Sequence, residues 1–181
     1  MSNARVRQIA LTAILSLTAA AASASTDGSL GATSTGTVTI GASVPNRVQL
    51  SGLTDVSFTN QDPTVAAANS QNVCVWSNTS TKGYNVTATG DGSSNAFTLA
   101  NGSLTVPYSV EWSGSSGQAS GTALATGTAL TGLTSTATNP TCSSGASSTA
   151  SLIVKISSAN LQTMQAATSY TGTLTLVVAP E

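Results

Sequence analysis

The 181 residues include five Lys or Arg, six Asp or Glu and no His, for a formal net charge of −1. So little charge gives no electrostatic footprint for nucleic acid or anionic lipid. The missing imidazole excludes Ser-His-Asp and Cys-His catalysis, the commonest general base and most metal sites. Solubility falls instead to a dense population of Ser, Thr, Asn and Gly, which hydrate a surface without charge.

At the N-terminus Arg5 and Arg7 precede a short apolar run, Ile9–Leu17, and the small-residue triplet Ala22-Ser23-Ala24. That is the pattern of a Sec-type signal peptide cleaved between Ala24 and Ser25, and its apolar run is too short to cross a bilayer. A retained anchor is the alternative. The expected organisation is a signal peptide over 1–24, an N-terminal extension over 25–45 and a single domain over 46–181. The mature protein is expected to be exported.

Within the extension, Ser25–Thr33 is small and polar. Ser34–Val44 then alternates, with Val38, Ile40, Ala42 and Val44 on one face and Thr35, Thr37, Thr39 and Ser43 on the other. Side chains alternate faces along a strand, so this is an extended segment with one apolar edge to bury. Pro45 stops it. Val48, Leu50, Val56 and Phe58 then share a parity, which predicts one long first strand interrupted near Ser51-Gly52. Asn60–Asn69 is expected to be a connection.

Asn72–Ser77 sets Cys74 and Trp76 against Val73 and Val75, a strand buried on both sides. After the polar turn Asn78–Gly83, Tyr84, Val86 and Ala88 alternate, so the two strands read as a hairpin. Asn101-Gly102 between Phe97–Leu99 and Leu104–Trp112 is the strongest hairpin signal in the chain. Val106, Tyr108, Val110 and Trp112 share a face of the second arm, and Pro107 implies an edge or a bulge.

Ser113–Ser148 is rich in small residues, with a weak strand expected near Thr122–Leu130. Leu152, Val154 and Ile156 mark a strand over Ser151–Ser157, and Ala159–Ala167 has helical character short enough for a single turn. The last strand, Tyr170–Val178, places Tyr170, Leu174, Leu176 and Val178 on one side and Thr171, Thr173 and Thr175 on the other. Short alternating strands between turn signals, without a long helix, predict an all-β fold, an antiparallel Ig-like sandwich.

In an exported chain the two cysteines, Cys74 and Cys142, are expected to pair. Closing so long a loop is worth roughly 4 kcal/mol in the chain-entropy model. A thiol metal site would lack the histidine to complete it. The nucleophile-elbow, phosphate-loop and dinucleotide patterns are missing. A carboxylate pair such as Asp91 and Glu111 could in principle serve a glycosidase, but nothing in the sequence selects them, and turn and strand roles account for both. Trp76, Trp112, Tyr84 and Tyr108 could stack on a glycan, but their faces place them in the core. The sequons at Asn78, Asn85 and Asn101 are expected by chance in so Thr- and Ser-rich a chain. No catalytic residues, metal, cofactor or small-molecule substrate are expected.

Taken together, the cleavable signal, TGTVTIGASV, LTVPYSVEWSG and the terminal SYTGTLTLVVAPE resemble the subunits of chaperone–usher pili, especially the archaic (spore-coat-U-like) and alpha (colonisation-factor-like) branches. The resemblance implies an Ig-like sandwich that lacks its last strand, with the N-terminal extension of a neighbouring subunit filling the groove. The donor strand would map to Thr35–Val44, with Val38, Ile40, Ala42 and Val44 as inserted side chains. The groove edge would map to Tyr170, Leu174, Leu176 and Val178. Implied partners are identical or related pilin subunits, a periplasmic chaperone and an outer-membrane usher. The implied function is that of a structural subunit of a cell-surface fimbria, exported through the periplasm and supporting adhesion. The alternative is a self-contained secreted sandwich that binds a ligand or surface. Two departures stand out: the bridge that joins the first two strands in many better-known subunits is not reproduced, and the chain ends in Ala179-Pro180-Glu181 without an aromatic pair.

Overall fold

The computed structural model describes residues 25–181; the signal segment up to Ala24, including the residue before the expected cleavage point, lies outside the described residues. The chain divides between Val44 and Pro45 into two units. In the first, Thr26 and Thr37 form an isolated antiparallel bridge, with N–H···O distances of 3.0 and 2.9 Å.

The second unit is all-β. Its centre is the strand Ala150–Ile156 (β9), in which Leu152, Ile153, Val154 and Ile156 are all buried. The other strands are Val48–Ser51 (β1), Ala67–Ser77 (β2), Gly83–Gly90 (β3), Thr98–Asn101 (β4), Leu104–Pro107 (β5), Ser109–Ser113 (β6), Thr122–Ala123 (β7), Ala129–Thr134 (β8) and Leu174–Pro180 (β10). They form a five-stranded sheet ordered β1-β2-β9-β6-β7, a three-stranded sheet ordered β10-β3-β8 and the ribbon β4-β5. All pairings are antiparallel. Val73, Val75, Val110, Trp112, Leu152 and Ile156 of the larger sheet share one buried core with Tyr84, Val86 and Ala88 of the smaller. The expected sandwich is present.

Several local expectations are corrected. The strands β2 and β3 do not pair; they lie in different sheets, connected by a turn in which Lys82 has φ +54°. Both strands carry an apolar row, and placing them in opposite layers buries each row against the other. The Trp112 indole N–H donates to the Tyr84 hydroxyl across the core at 3.3 Å. Tyr84, Trp112 and Tyr108 are core residues, and Phe97 packs on Tyr108 with ring centroids 5.7 Å apart. Three of the four aromatics thus lie in the core, where their faces placed them. Trp76, the fourth, packs on the disulfide on the outer face of β2.

Residues 60–66 form the expected connection, but it ends early, because β2 already begins at Ala67 within the alanine run. The Asn101-Gly102 hairpin forms, but Asn101 pairs with Leu104 and the loop is Gly102-Ser103, with Gly102 at φ +59°. Glycine at the first loop position is the II′ pattern. At Pro107 the second arm leaves β4 and continues as β6 in the five-stranded sheet, so the proline marks a sheet switch. The weak strand near 122–130 resolves into β7 and β8, on different sheets. The helical stretch keeps one turn, Ser158–Leu161 (α1), capped by the Ser157 hydroxyl, which accepts from the Asn160 N–H.

Cys74 and Cys142 form the expected disulfide, with Cα atoms 6.0 Å apart. It fixes the Asn139–Ser144 loop to the outer face of β2. Within that loop the Asn139 carboxamide accepts from the Ser143 N–H at 2.9 Å and donates to the Ser144 hydroxyl at 2.7 Å.

Glu111 on β6 accepts from the Lys155 ammonium of β9 at 2.7 and 2.8 Å and from the Gly121 N–H at 2.9 Å. The hydrogen bonds from Lys155, then from Gly121, hold its carboxyl below the ordinary value of 4.5. A group with a depressed folded pKa contributes stability above its unfolded pKa and loses it as pH falls through the folded value. The Glu111→Gln variant should therefore lose about 1 kcal/mol near neutrality. The difference from the parent should vanish below the carboxylate range, as read by urea melts across pH 2–7. A constant difference at all pH values would exclude this role.

Candidate functional site

On the side of β10 away from β3 there is no strand among the described residues. The Glu181 N–H donates to the Gly83 carbonyl at 3.1 Å. Because antiparallel pairs alternate, the odd-numbered residues of β10 are the ones bonded to β3, and the backbone groups of Leu174, Leu176 and Val178 point to the open edge. Upstream, Thr171 exchanges hydrogen bonds with Ala100 at 2.8 and 3.0 Å, and the Thr173 N–H donates to the Asp91 carboxylate at 2.8 Å. The same alternation therefore adds Gly172 to the open row. Pro180 has no N–H, so the row of donors ends there.

Along this edge runs a groove of ≈ 1180 Å³. Its floor is Leu152, Val154 and Ile156 of β9 with Leu99, Tyr108 and Leu161. One wall is Met164–Leu174 continuing to Leu176; the other is Leu53–Gln61. Leu174 and Leu176 are half-buried and reach the core from the edge. An apolar floor beside a row of unpaired backbone donors and acceptors is chemically suited to an extended peptide with alternating apolar side chains.

Of the residues expected at the groove edge, Leu174 and Leu176 lie in β10 and line the groove. Val178 lies in β10 and packs on the core without lining the groove. Tyr170 lines it but lies outside β10, which begins four residues later than the alternation suggests and runs to Pro180. Residues 164–169 fold locally instead: the Tyr170 hydroxyl accepts from the Gln165 N–H at 3.1 Å and Thr168 donates to the Gln165 carbonyl at 2.6 Å. The Asn101 amide donates to the Ser169 carbonyl at 2.7 Å and ties this wall to the β4-β5 ribbon.

The expected first strand also departs from its pattern. Only Val48–Ser51 pairs with β2; at Gly52 the backbone takes φ +82° and the chain leaves the ladder. Val56 and Phe58 still pack on the core, from a segment that belongs to no strand. In the N-terminal unit, residues 38–44 likewise belong to no strand, and Val38, Ile40 and Val44 are 73, 88 and 82% exposed. Ala42 is exposed too. An alternating segment without a neighbouring ladder is extended chain, not sheet.

Asp91 and Glu111 do not converge on a site: the first receives Thr173 and the second receives Lys155 and Gly121. Asn78, noted as a turn residue and part of a sequon, accepts from the Arg47 N–H and donates to the Pro45 carbonyl, fastening the start of β1. Of the residues that shape the groove walls, Asp91 and Asn101 stood out in the sequence only for other roles, a carboxylate pair, a hairpin turn and a sequon, and Gln71 for none. The one available signal was the polar pair Asn69 and Gln71 in the row that also holds Ala67, Val73, Val75 and Ser77.

No family model matches the sequence, and no curated protein matches it. Among solved structures, one chain from a study entitled "Chaperone-tip adhesin complex is vital for synergistic activation of CFA/I fimbriae biogenesis" aligns with a TM-score of 0.47 at 15% identity, covering 75% of this chain and 41% of that one. The present chain thus spans less than half the length of that neighbour.

Proposed function

We propose that this protein is a non-catalytic structural subunit of an extracellular fimbria, polymerised by strand donation between copies. The observation that carries the reading is the unpaired edge of β10 above an apolar groove, in a chain that also holds an exposed alternating segment, Thr35–Val44. The groove needs a strand with apolar side chains at every second position, and Val38, Ile40, Ala42 and Val44 supply one. Burying the three larger side chains is worth roughly 1.5–3 kcal/mol each before ordering costs. Pairing along Gly172–Val178 would satisfy the open backbone groups. Donation from one copy to the next is head-to-tail, and a head-to-tail contact that does not close yields a filament. The resemblance to chaperone–usher subunits supplies the other partners of this reading: a periplasmic chaperone that covers the edge before assembly and an outer-membrane usher that exchanges it.

The test adds a synthetic Ser34–Val44 peptide to the mature chain. The peptide should bind one-to-one, raise the melting temperature in proportion to the logarithm of its concentration and suppress self-association in size-exclusion chromatography. A scrambled peptide that stabilises equally, or a durable monomer indifferent to the native peptide, would reject strand donation.

A further inference from the structure

We infer that Gln71 is the positioning residue that builds the second wall of the groove, by holding the continuation of β1 away from β2. The inference rests on the strand-donation reading for its purpose, but its geometry stands by itself. Extending the β1–β2 register beyond Ser51↔Cys74 would place Thr54 opposite Gln71, Val56 opposite Asn69 and Phe58 opposite Ala67. The parity is right for that continuation: Val48, Leu50, Val56 and Phe58 all face the core. The ladder nevertheless stops, although the β2 edge ahead of it is free. The Asn78 N–H donates to the Arg47 carbonyl, so the even residues of β2 direct their backbone groups towards β1, and those of Ala68 and Ser70 meet no strand there among the described residues.

The Gln71 side chain stands where the ladder would be. Its carbonyl oxygen accepts from the Thr54 N–H at 2.8 Å and from the Thr54 hydroxyl at 3.2 Å, and its amide donates to the Thr54 carbonyl at 3.0 Å. One carboxamide thus reproduces both bonds of a strand neighbour, displaced from the β2 backbone by a side-chain length. The half-buried Gln71 side chain makes these hydrogen bonds to Thr54 at this offset position of the chain. Gly52, in a left-handed conformation, lets the chain make that step. The consequence is a wall, Leu53–Gln61, placed to flank an incoming strand from the side opposite β10.

The variants are Gln71→Leu, which keeps volume and loses both bonds, and Gln71→Glu, which keeps the acceptor alone. Amide exchange of the mature chain is read first. In Gln71→Leu, Thr54 should exchange at least about tenfold faster, or the Ala68 and Ser70 amides should become protected as the segment closes onto β2. Gln71→Glu should fall between Gln71→Leu and the parent. Uptake of the Ser34–Val44 peptide is read second and should slow by about tenfold or more in Gln71→Leu. A Gln71→Leu protein that keeps the parent's exchange pattern over 53–59 and 68–72 overturns the inference. So does one that keeps the parent's uptake rate. If the parent itself takes up no peptide, strand donation fails, and the exchange result still decides whether Gln71 sets the wall.

Discussion

Ile40→Asp should abolish filament growth while leaving the fold of the subunit untouched. The two effects separate because Ile40 is 88% exposed in the single chain and belongs to no strand, so its replacement removes no buried side chain. In the assembled state the same position would face the β9 floor of a neighbouring copy. There a carboxylate loses the roughly 1.5–3 kcal/mol of Ile burial and adds the desolvation of an unpaired charge. Together these exceed about 3 kcal/mol, a weakening of more than a hundredfold. Electron microscopy and sedimentation should show unpolymerised subunits with an unchanged melting temperature. Thr39→Asp, one residue away on the polar face, should assemble with much smaller loss. Equal assembly of the parent and Ile40→Asp would remove this segment from the interface.

The second large effect is on stability. Replacing both cysteines, Cys74→Ser with Cys142→Ser, releases a 68-residue separation and should cost roughly 4 kcal/mol in the chain-entropy model. For a domain of this size that corresponds to a fall of about 10–20 °C in melting temperature. The bond does more than shorten the unfolded chain. It holds a loop rich in small residues, with few apolar anchors of its own, against Trp76 and Ala137 on the outer face of β2. The groove lies on the inner face of that sheet, so any double variant that still folds should take up the Ser34–Val44 peptide normally. Calorimetry and the peptide assay together check both halves; a shift below about 3 °C would mean the loop is held by its Asn139 hydrogen bonds alone.

Much of the sandwich was legible because period-two alternation is written in each strand separately. Val106, Tyr108, Val110 and Trp112 share a face in the sequence, and all four are buried. Leu152, Val154 and Ile156 do the same, and Leu174, Leu176 and Val178 all pack towards the core. The cysteine pair followed from their number and from the expectation of export. Strand neighbours were less legible. β2 and β3 look like a hairpin because each alternates and a polar turn joins them; nothing local says that their apolar rows must meet across two layers instead of side by side.

The groove divides in the same way. Its apolar lining could be read from the alternation of the last strand and of β9, and the candidate donor from the alternation of Val38 to Val44. Its walls could not. One is set by Gln71 receiving Thr54 after the Gly52 turn, the other by Asn101 on Ser169, Ala100 on Thr171 and Asp91 on Thr173. Each joins residues apart in the chain through one to three hydrogen bonds, which leave no periodic trace.

The sequence alone determined which side of each strand is apolar, because that depends only on the residue at each position and on the two-residue repeat of an extended backbone. The tertiary structure decided which edge is left unpaired. A strand's hydrogen-bonding partner belongs to the neighbour that arrives beside it, and along β10 from Gly172 to Val178 no neighbour arrives from this chain's described residues.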